Sequence, residues 1–372
     1  MKIIHVIGSC GAGGAEILVK DLLIEMKEQG ADVGLWIMTR VKDMAGAEKV
    51  NLDFENTFLD ELELFSIPYD FVNKRPNKDW LKTTWRLNQL YNKCRPSIIH
   101  SHLESVSFHV ARSLFFRRAS LFQTIHNTRI ENSLVAKYLF PRAFKGFVAI
   151  SELVNDVAKQ GGLPNNKIYI ILNGVNIDRF VNEGRSIHQR VKSIISIGRL
   201  TKQKNFENLI SAIAILKAKL NGSGIELPKV YIAGDGELRD QLQTLINENK
   251  LENDMQLLGI QKDIPALLGK NDIYVMSSEW EGLSISLIEA LASGIPVVAT
   301  DAGSNREIID HEKNGIIVPV KDPQALANGI FRLLNDRELR SRFSKAAAEK
   351  ASVFSISECA SRHLDLYNTI KP

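Results

Sequence analysis

Short apolar runs, each closing on glycines or small polar residues and followed by an apolar stripe of helical period, recur along the whole chain. Residues 2–7 form the first run. Residues 8–16 are a glycine-rich loop, and Leu18, Leu22, Leu23 and Met26 then keep helical spacing up to Gly30. That reads as strand, loop, helix. The pattern continues with a strand over 32–38 and a helix over 79–93, whose Trp80, Trp85, Leu87 and Tyr91 are expected in the core. Strands over 97–102, 120–125 and 146–150 come next, and Ser151 suits the N-cap of the helix after them. The strand over 167–172 runs into turn-rich 173–180, and 181–190 has neither period, which makes it the candidate hinge.

The pattern then restarts. A strand over 193–197, a loop, and an amphipathic helix over 206–220 are followed by strands over 230–233, 272–276 and 297–300 and a closing segment over 314–319. Helices over 323–334, 338–349 and 356–370 complete the chain. Alternating strands and helices in both halves predict an α/β protein with two doubly wound parallel sheets.

Composition adds limits. A chain of 372 residues suits two domains, and 44% hydrophobic with 24% charged residues is globular rather than disordered composition. The formal charge of +4 shows no concentrated basic stripe, which argues against a dedicated nucleic-acid binder and leaves room for acidic substrates or an anionic membrane. Cys10, Cys94 and Cys359 are odd in number and widely spaced, so neither a disulfide framework nor a zinc site is suggested. The apolar run before Gly8 is too short for a signal peptide or a membrane span, and a cytoplasmic protein is expected.

Candidate chemistry collects at strand ends, where open parallel sheets place their ligands. Gly282, Leu283 and Ser284 lead into a helix whose free N–H groups suit an anion. Glu289 lies in the body of that helix among Leu287, Ile288, Ala290 and Leu291, and Glu281 stands just before it. Arg199 and Lys204, at another loop-to-helix transition, suit a pyrophosphate, Arg as a fork and Lys as a point charge. Gly13 and Gly14, and Gly234 and Gly236, open two further loops before helices. His126 ends one strand; His100 and His102 alternate on another, without a carboxylate or cysteine at metal-ligand spacing, and are read as structural or acceptor-side groups.

Glu281 and Glu289, with seven residues between them, and the following Ala-Ser-Gly-Ile-Pro-Val-Val-Ala-Thr closely resemble the signature of family 4 retaining glycosyltransferases. Gly13-Gly14-Ala15-Glu16, Thr124-Ile125-His126-Asn127, Asn173-Gly174-Val175-Asn176 and Gly198-Arg199-Leu200 with Lys204 resemble other segments of that family, with Asn176 where an aspartate is usual. The resemblance implies the GT-B fold, two Rossmann-like domains facing a cleft, with the last helix returning to the first domain. It divides the chain into residues 1–180 on the acceptor side, the hinge 181–190, a nucleotide-sugar domain over 191–353, and 354–372. It implies a nucleotide-sugar donor, with a UDP-sugar expected, and a saccharide or lipid-linked acceptor used in cell-surface polysaccharide or glycan synthesis.

In the implied roles, Glu289 holds the ribose hydroxyls and Glu281 contacts the transferred sugar. His126 lies against the donor sugar, and Arg199 and Lys204 meet the diphosphate. Gly13, Gly14, Gly234, Gly236, Gly282, Leu283 and Ser284 line the donor. No Asp-x-Asp occurs, so neither a metal nor another cofactor is expected. Cations and aromatics at Arg112, Phe115, Phe116, Arg117 and Arg118, and at Tyr138, Phe140, Arg142, Phe144 and Lys145, raise peripheral contact with an anionic membrane; a core role for Phe115 and Phe144 is the competing reading. Two other functions stay open: a non-hydrolysing sugar-nucleotide epimerase, and a catalytically inactive nucleotide-sugar-binding assembly subunit.

Overall fold

The computed structural model describes all residues except 12, 45–48, 76–78, 131–133, 182–184, 223 and 371–372. The chain divides into two compact units, Met1–Val175 with Ile356–Pro372, and Asn176–Ser355. Each is built on a parallel sheet.

The first unit carries β1 (Lys2–Ile7), β2 (Asp32–Ile37), β3 (Tyr69–Phe71), β4 (Ile98–His102), β5 (Ser120–Ile125), β6 (Phe144–Ala149) and β7 (Ile168–Ile170), in spatial order β3-β2-β1-β4-β5-β6-β7. β1, β4 and β5 are buried along almost their whole length, as expected of strands covered on both faces. Helix Gly14–Glu28 packs on helix Ile356–Thr369, so the end of the chain belongs to this unit. The helix after β6 starts as expected, with Ser151 Oγ accepting from the Val154 N–H at 3.1 Å.

The second unit carries β8 (Ser193–Ile197), β9 (Lys229–Ala233), β10 (Met255–Gly259), β11 (Ile273–Met276), β12 (Val297–Thr300) and β13 (Ile316–Val318), in order β10-β9-β8-β11-β12-β13. Ile194, Ile210, Ile213, Val230, Ile232, Val275, Val298 and Ile330 fill its core. Strand order reverses between β1 and β4 in one unit and between β8 and β11 in the other. Those switch points are where side chains at the carboxyl ends of open sheets meet ligands.

One segment gains detail and one expectation changes. Of residues 181–190, read as a hinge, 182–184 lie outside the described residues and 185–190 are tied into the second unit. The Arg185 guanidinium donates to the carbonyls of Ser293, Asn271 and Leu268 at 3.0, 3.1 and 2.6 Å, and Arg340 donates to those of His188 and Gln189 at 2.8 and 3.1 Å. The polarity of the segment thus belongs partly to a strap held by two arginines. Trp80 and Trp85, expected in the core, are 54% and 60% exposed, while Thr83, Leu87 and Leu90 form the buried face of helix Trp80–Cys94.

Candidate active site

In the second unit the chain leaves β8 through Gly198, Arg199 and Leu200. This turn is laced to the loop after β9: Gly198 N–H donates to the Ala233 carbonyl at 3.0 Å, and Leu200 N–H to that of Asp235 at 2.9 Å. A Cβ at Gly234, whose φ is +136°, would sit 2.0 Å from the Gly198 oxygen, and one at Gly236 would sit 2.6 Å from the Leu200 oxygen. The two glycines are therefore required by the approach of one loop to the other, whatever ligand they also face.

The same turn is fastened to the loop after β11. Ser277 Oγ donates to the Lys204 carbonyl at 2.9 Å, Glu279 N–H donates to the Gln203 carbonyl at 2.8 Å, and Gln203 Nε2 donates to the Trp280 carbonyl at 3.0 Å. These bonds bring Lys204 Nζ to 2.6 Å from Glu281 Oε1, which also accepts from Ser278 Oγ at 2.7 Å. Glu281 is buried, 5% exposed, and so is in a setting where its charge needs its partners. Thr300 Oγ1 holds the Ser278 carbonyl at 2.7 Å. Gly303, with φ +59°, passes so close that a Cβ there would lie 1.8 Å from the backbone carbonyl oxygen of Glu281.

Lys204 and Glu281, 77 positions apart, thus form one unit at the carboxyl edge of the sheet. Arg199 is exposed on the same turn. Gly282 is half-buried, and Leu283 and Ser284 are buried. Ser284 occupies the N-cap position of helix Ile285–Ala292, but its side chain makes no capping bond; it lies 3.3 Å from Ser286 Oγ, which accepts from the Tyr274 hydroxyl at 3.0 Å. A helix end whose N-cap side chain makes no capping bond suits an incoming anion. Glu289 is half-buried on this helix.

In the first unit Gly13 is the extended N-cap residue of helix Gly14–Glu28, again without a side-chain cap, and Gly14 is exposed. His126 stands just beyond β5, in a recess lined by Leu103, Glu104, Gln123, Thr124, Asn127 and Arg129. Its Nε2 lies 3.1 Å from His102 Nδ1. Burial lowers the His126 pKa to about 4, with a smaller contribution from His363. At neutral pH the ring is uncharged and acts through hydrogen bonds.

His126 belongs to a cluster with His5, His100, His102 and His363. Burial takes His5 down to about 3 and His363 to about 4, and drives His100 and His102 the same way. The unfolded chain takes up these protons first as pH falls below 6.5, so stability present above that value is lost between about 6.5 and 3. Melting temperature should hold from pH 8 to 6.5 and fall steeply toward pH 4; a flat profile down to pH 4.5 would contradict the neutral cluster.

Lys204, Glu281 and His126 stand out in the sequence, but their supports do not: Gln203, Ser278, Thr300 and Gly303 in the second unit, and in the first His5 and Tyr367, whose hydroxyl lies 3.4 Å from His5 Nε2. Gly303 alone left a signal, as a glycine just after a strand.

Comparison with known proteins fits this geometry. The family described as Glycosyltransferase Family 4 matches residues 12–179, and the one described as Glycosyl transferases group 1 matches 181–350. The chain belongs to the family 4 glycosyltransferases, and its two Rossmann-like units are those of the GT-B class.

It is 31% identical over 229 residues to the N-acetylgalactosamine-N,N'-diacetylbacillosaminyl-diphospho-undecaprenol 4-alpha-N-acetylgalactosaminyltransferase of Campylobacter jejuni, a match covering 60% of each protein. It is 25% identical over 332 residues to the UDP-Gal:alpha-D-GlcNAc-diphosphoundecaprenol alpha-1,3-galactosyltransferase of Escherichia coli, covering 83% of this chain and 84% of that protein. The crystal structure of Anabaena HepE in complex with UDP-glucose superposes with a TM-score of 0.83 at 21% identity, over 99% of this chain and 100% of HepE.

Proposed function

We propose that the protein is a retaining, metal-independent hexosyltransferase that moves a sugar from a nucleotide diphosphate donor, a UDP-sugar, to a saccharide or lipid-linked acceptor in cell-surface glycan synthesis. The observation that carries this reading is the Lys204–Glu281 pair, 2.6 Å long with its carboxylate buried, beside helix Ile285–Ala292, whose N-cap side chain makes no capping bond, at the switch point of the second sheet. The names of the Campylobacter and Escherichia relatives, both acting on diphospho-undecaprenol-linked glycans, and the UDP-glucose bound to HepE support the donor and acceptor classes.

Cleavage of the anomeric C–O bond leaves negative charge on the diphosphate. Lys204, Arg199 and the helix N–H groups are the groups to receive it, so their contribution grows toward the transition state. Glu289 takes the ribose hydroxyls. Glu281, its Oε1 engaged by Lys204 and Ser278, fixes the lysine and faces the transferred sugar. Retention then proceeds by substitution on the face that the leaving group departs, with the departing phosphate oxygen taking the acceptor proton. His126, neutral, is the sugar-side group of the first unit.

Proton NMR of the product should show the donor's anomeric configuration kept, with turnover unchanged in EDTA. An inverted product, or activity lost in EDTA and restored by Mn²⁺, would contradict the reading. An epimerised nucleotide-sugar formed without acceptor would favour the epimerase alternative, and nucleotide binding without turnover the inactive subunit.

Contact with an anionic membrane has a specific surface in its favour. Trp80, Leu81, Trp85 and Phe116 are 54%, 65%, 60% and 95% exposed, and the Arg112 guanidinium lies 4.0 Å over the Trp80 ring. Arg117 and Arg118 are exposed nearby in sequence to Phe116. In the second segment Phe140 and Phe144 are instead core residues, and Tyr138, 54% exposed, is its aromatic at the surface. Among the described residues no helix is long and apolar enough to cross a membrane. Flotation with vesicles containing anionic lipid should fall in a Trp85→Ser, Phe116→Ser variant; equal flotation would remove the contact.

A further inference from the structure

Behind His126 lies an unbroken file of hydrogen-bonding groups. Thr124 Oγ1 is 2.7 Å from His100 Nε2, and His100 Nδ1 is 2.5 Å from the Tyr367 hydroxyl. The same hydroxyl is 3.4 Å from His5 Nε2, His5 Nδ1 is 2.9 Å from His102 Nε2, and His102 Nδ1 is 3.1 Å from His126 Nε2. The register makes this arrangement. His5 pairs with His100 across β1 and β4, His102 pairs with Thr124 across β4 and β5, and helix Ile356–Thr369 supplies Tyr367. The rings of His5, His100 and His102 stack with centroids 4.9–5.2 Å apart.

Both nitrogens of His5, His100 and His102 are engaged, and a neutral imidazole carries one N–H, so the proton position on one ring dictates that on the next. With the Tyr367 proton itself inside the file, two arrangements are self-consistent, one the reverse of the other. Burial keeps Tyr367 protonated. A phenol is the stronger donor and an imidazole nitrogen the stronger acceptor, so the hydroxyl proton belongs in the shortest contact, toward His100 Nδ1. His100 Nε2–H then donates to Thr124. With its single proton committed, Tyr367 oxygen accepts from His5 Nε2–H, His5 Nδ1 accepts from His102 Nε2–H, and His102 Nδ1 accepts from His126 Nε2–H. The remaining nitrogen of His126, Nδ1, has no proton.

We infer that Tyr367, acting through His5 and His102, locks His126 in its Nε2–H tautomer and so presents Nδ1 as an acceptor for a hydroxyl of the bound sugar. Tyr367, His5 and His102 are positioning residues: a side chain on the last helix sets the hydrogen-bonding polarity of a group at the end of β5. The inference rests on the sugar-side role proposed above for His126. It adds a ligand preference: a hydroxyl donor at that point is accepted, and a sugar offering only an acceptor there is rejected.

The test is long-range ¹⁵N–¹H NMR on histidine-labelled protein, read together with kinetics. Wild type should show His126 protonated at Nε2 alone; protonation at Nδ1 would overturn the inference without any variant. Tyr367→Phe keeps the ring and removes the hydroxyl, and it should give His126 a mixture of tautomers. It should also lower kcat about tenfold with donor KM and UDP affinity unchanged, the effect expected from one lost or misdirected hydrogen bond. Combined with His126→Ala, it should cost nothing further. A single Nε2–H tautomer persisting in Tyr367→Phe would overturn the coupling. A redistributed tautomer with unaltered kcat would uphold the coupling and overturn the sugar-side role of His126 instead.

Discussion

Lys204→Ala should lose about a hundredfold or more in turnover and, in the same protein, about 3–5 kcal/mol of stability. The two losses have different origins. Stability falls because the Glu281 carboxylate, 5% exposed, keeps its Ser278 bond but loses the ammonium 2.6 Å away, leaving a charge in a place where water reaches it poorly. Turnover falls because the same ammonium, on the proposed reading, meets the charge that grows on the leaving diphosphate. The double variant Lys204→Met, Glu281→Gln separates them. Removing both charges together relieves the buried mismatch, so the melting temperature should return most of the way while turnover stays low. A single variant with wild-type melting and wild-type rate would show that the pair is neither structural nor catalytic.

Glu289→Ala should weaken UDP and the UDP-sugar by the same factor, about 10- to 100-fold, corresponding to roughly 1–3 kcal/mol for charge-assisted bonds to two ribose hydroxyls. Stability should change little, since Glu289 is half-buried and alanine favours a helix interior. Equal loss for nucleotide and nucleotide-sugar distinguishes this residue from Glu281, whose replacement should act on turnover. Calorimetric titration of both ligands into both variants reads the difference directly.

Much of this was legible in the sequence, for identifiable reasons. Strand Ser193–Ile197 and helix Phe206–Leu220 fall where the apolar runs put them, because an alternating α/β chain marks each boundary with glycine or a polar cluster. Lys204 and Glu281 were each readable from local spacing, but their direct bond depends on loops after β8 and β11 that only the strand order brings together. His5 gave no signal: in a strand buried on both faces there is no polar alternation for a histidine to interrupt, and its partners are 95 or more positions away. Trp80 and Trp85 misled in the opposite sense. Counting large aromatics as core overlooks that the helix turns Thr83, Leu87 and Leu90 inward and leaves the tryptophans on its outer side.

A nucleotide diphosphate sugar should bind at the carboxyl edge of the second sheet and be held there by protein groups. Isothermal titration of UDP in EDTA, into wild type and Glu289→Ala, tests it most directly. Wild type should show saturable one-to-one binding without added metal, weakened at least tenfold in the variant. Absence of binding under those conditions, or equal affinity in the two proteins, would contradict it.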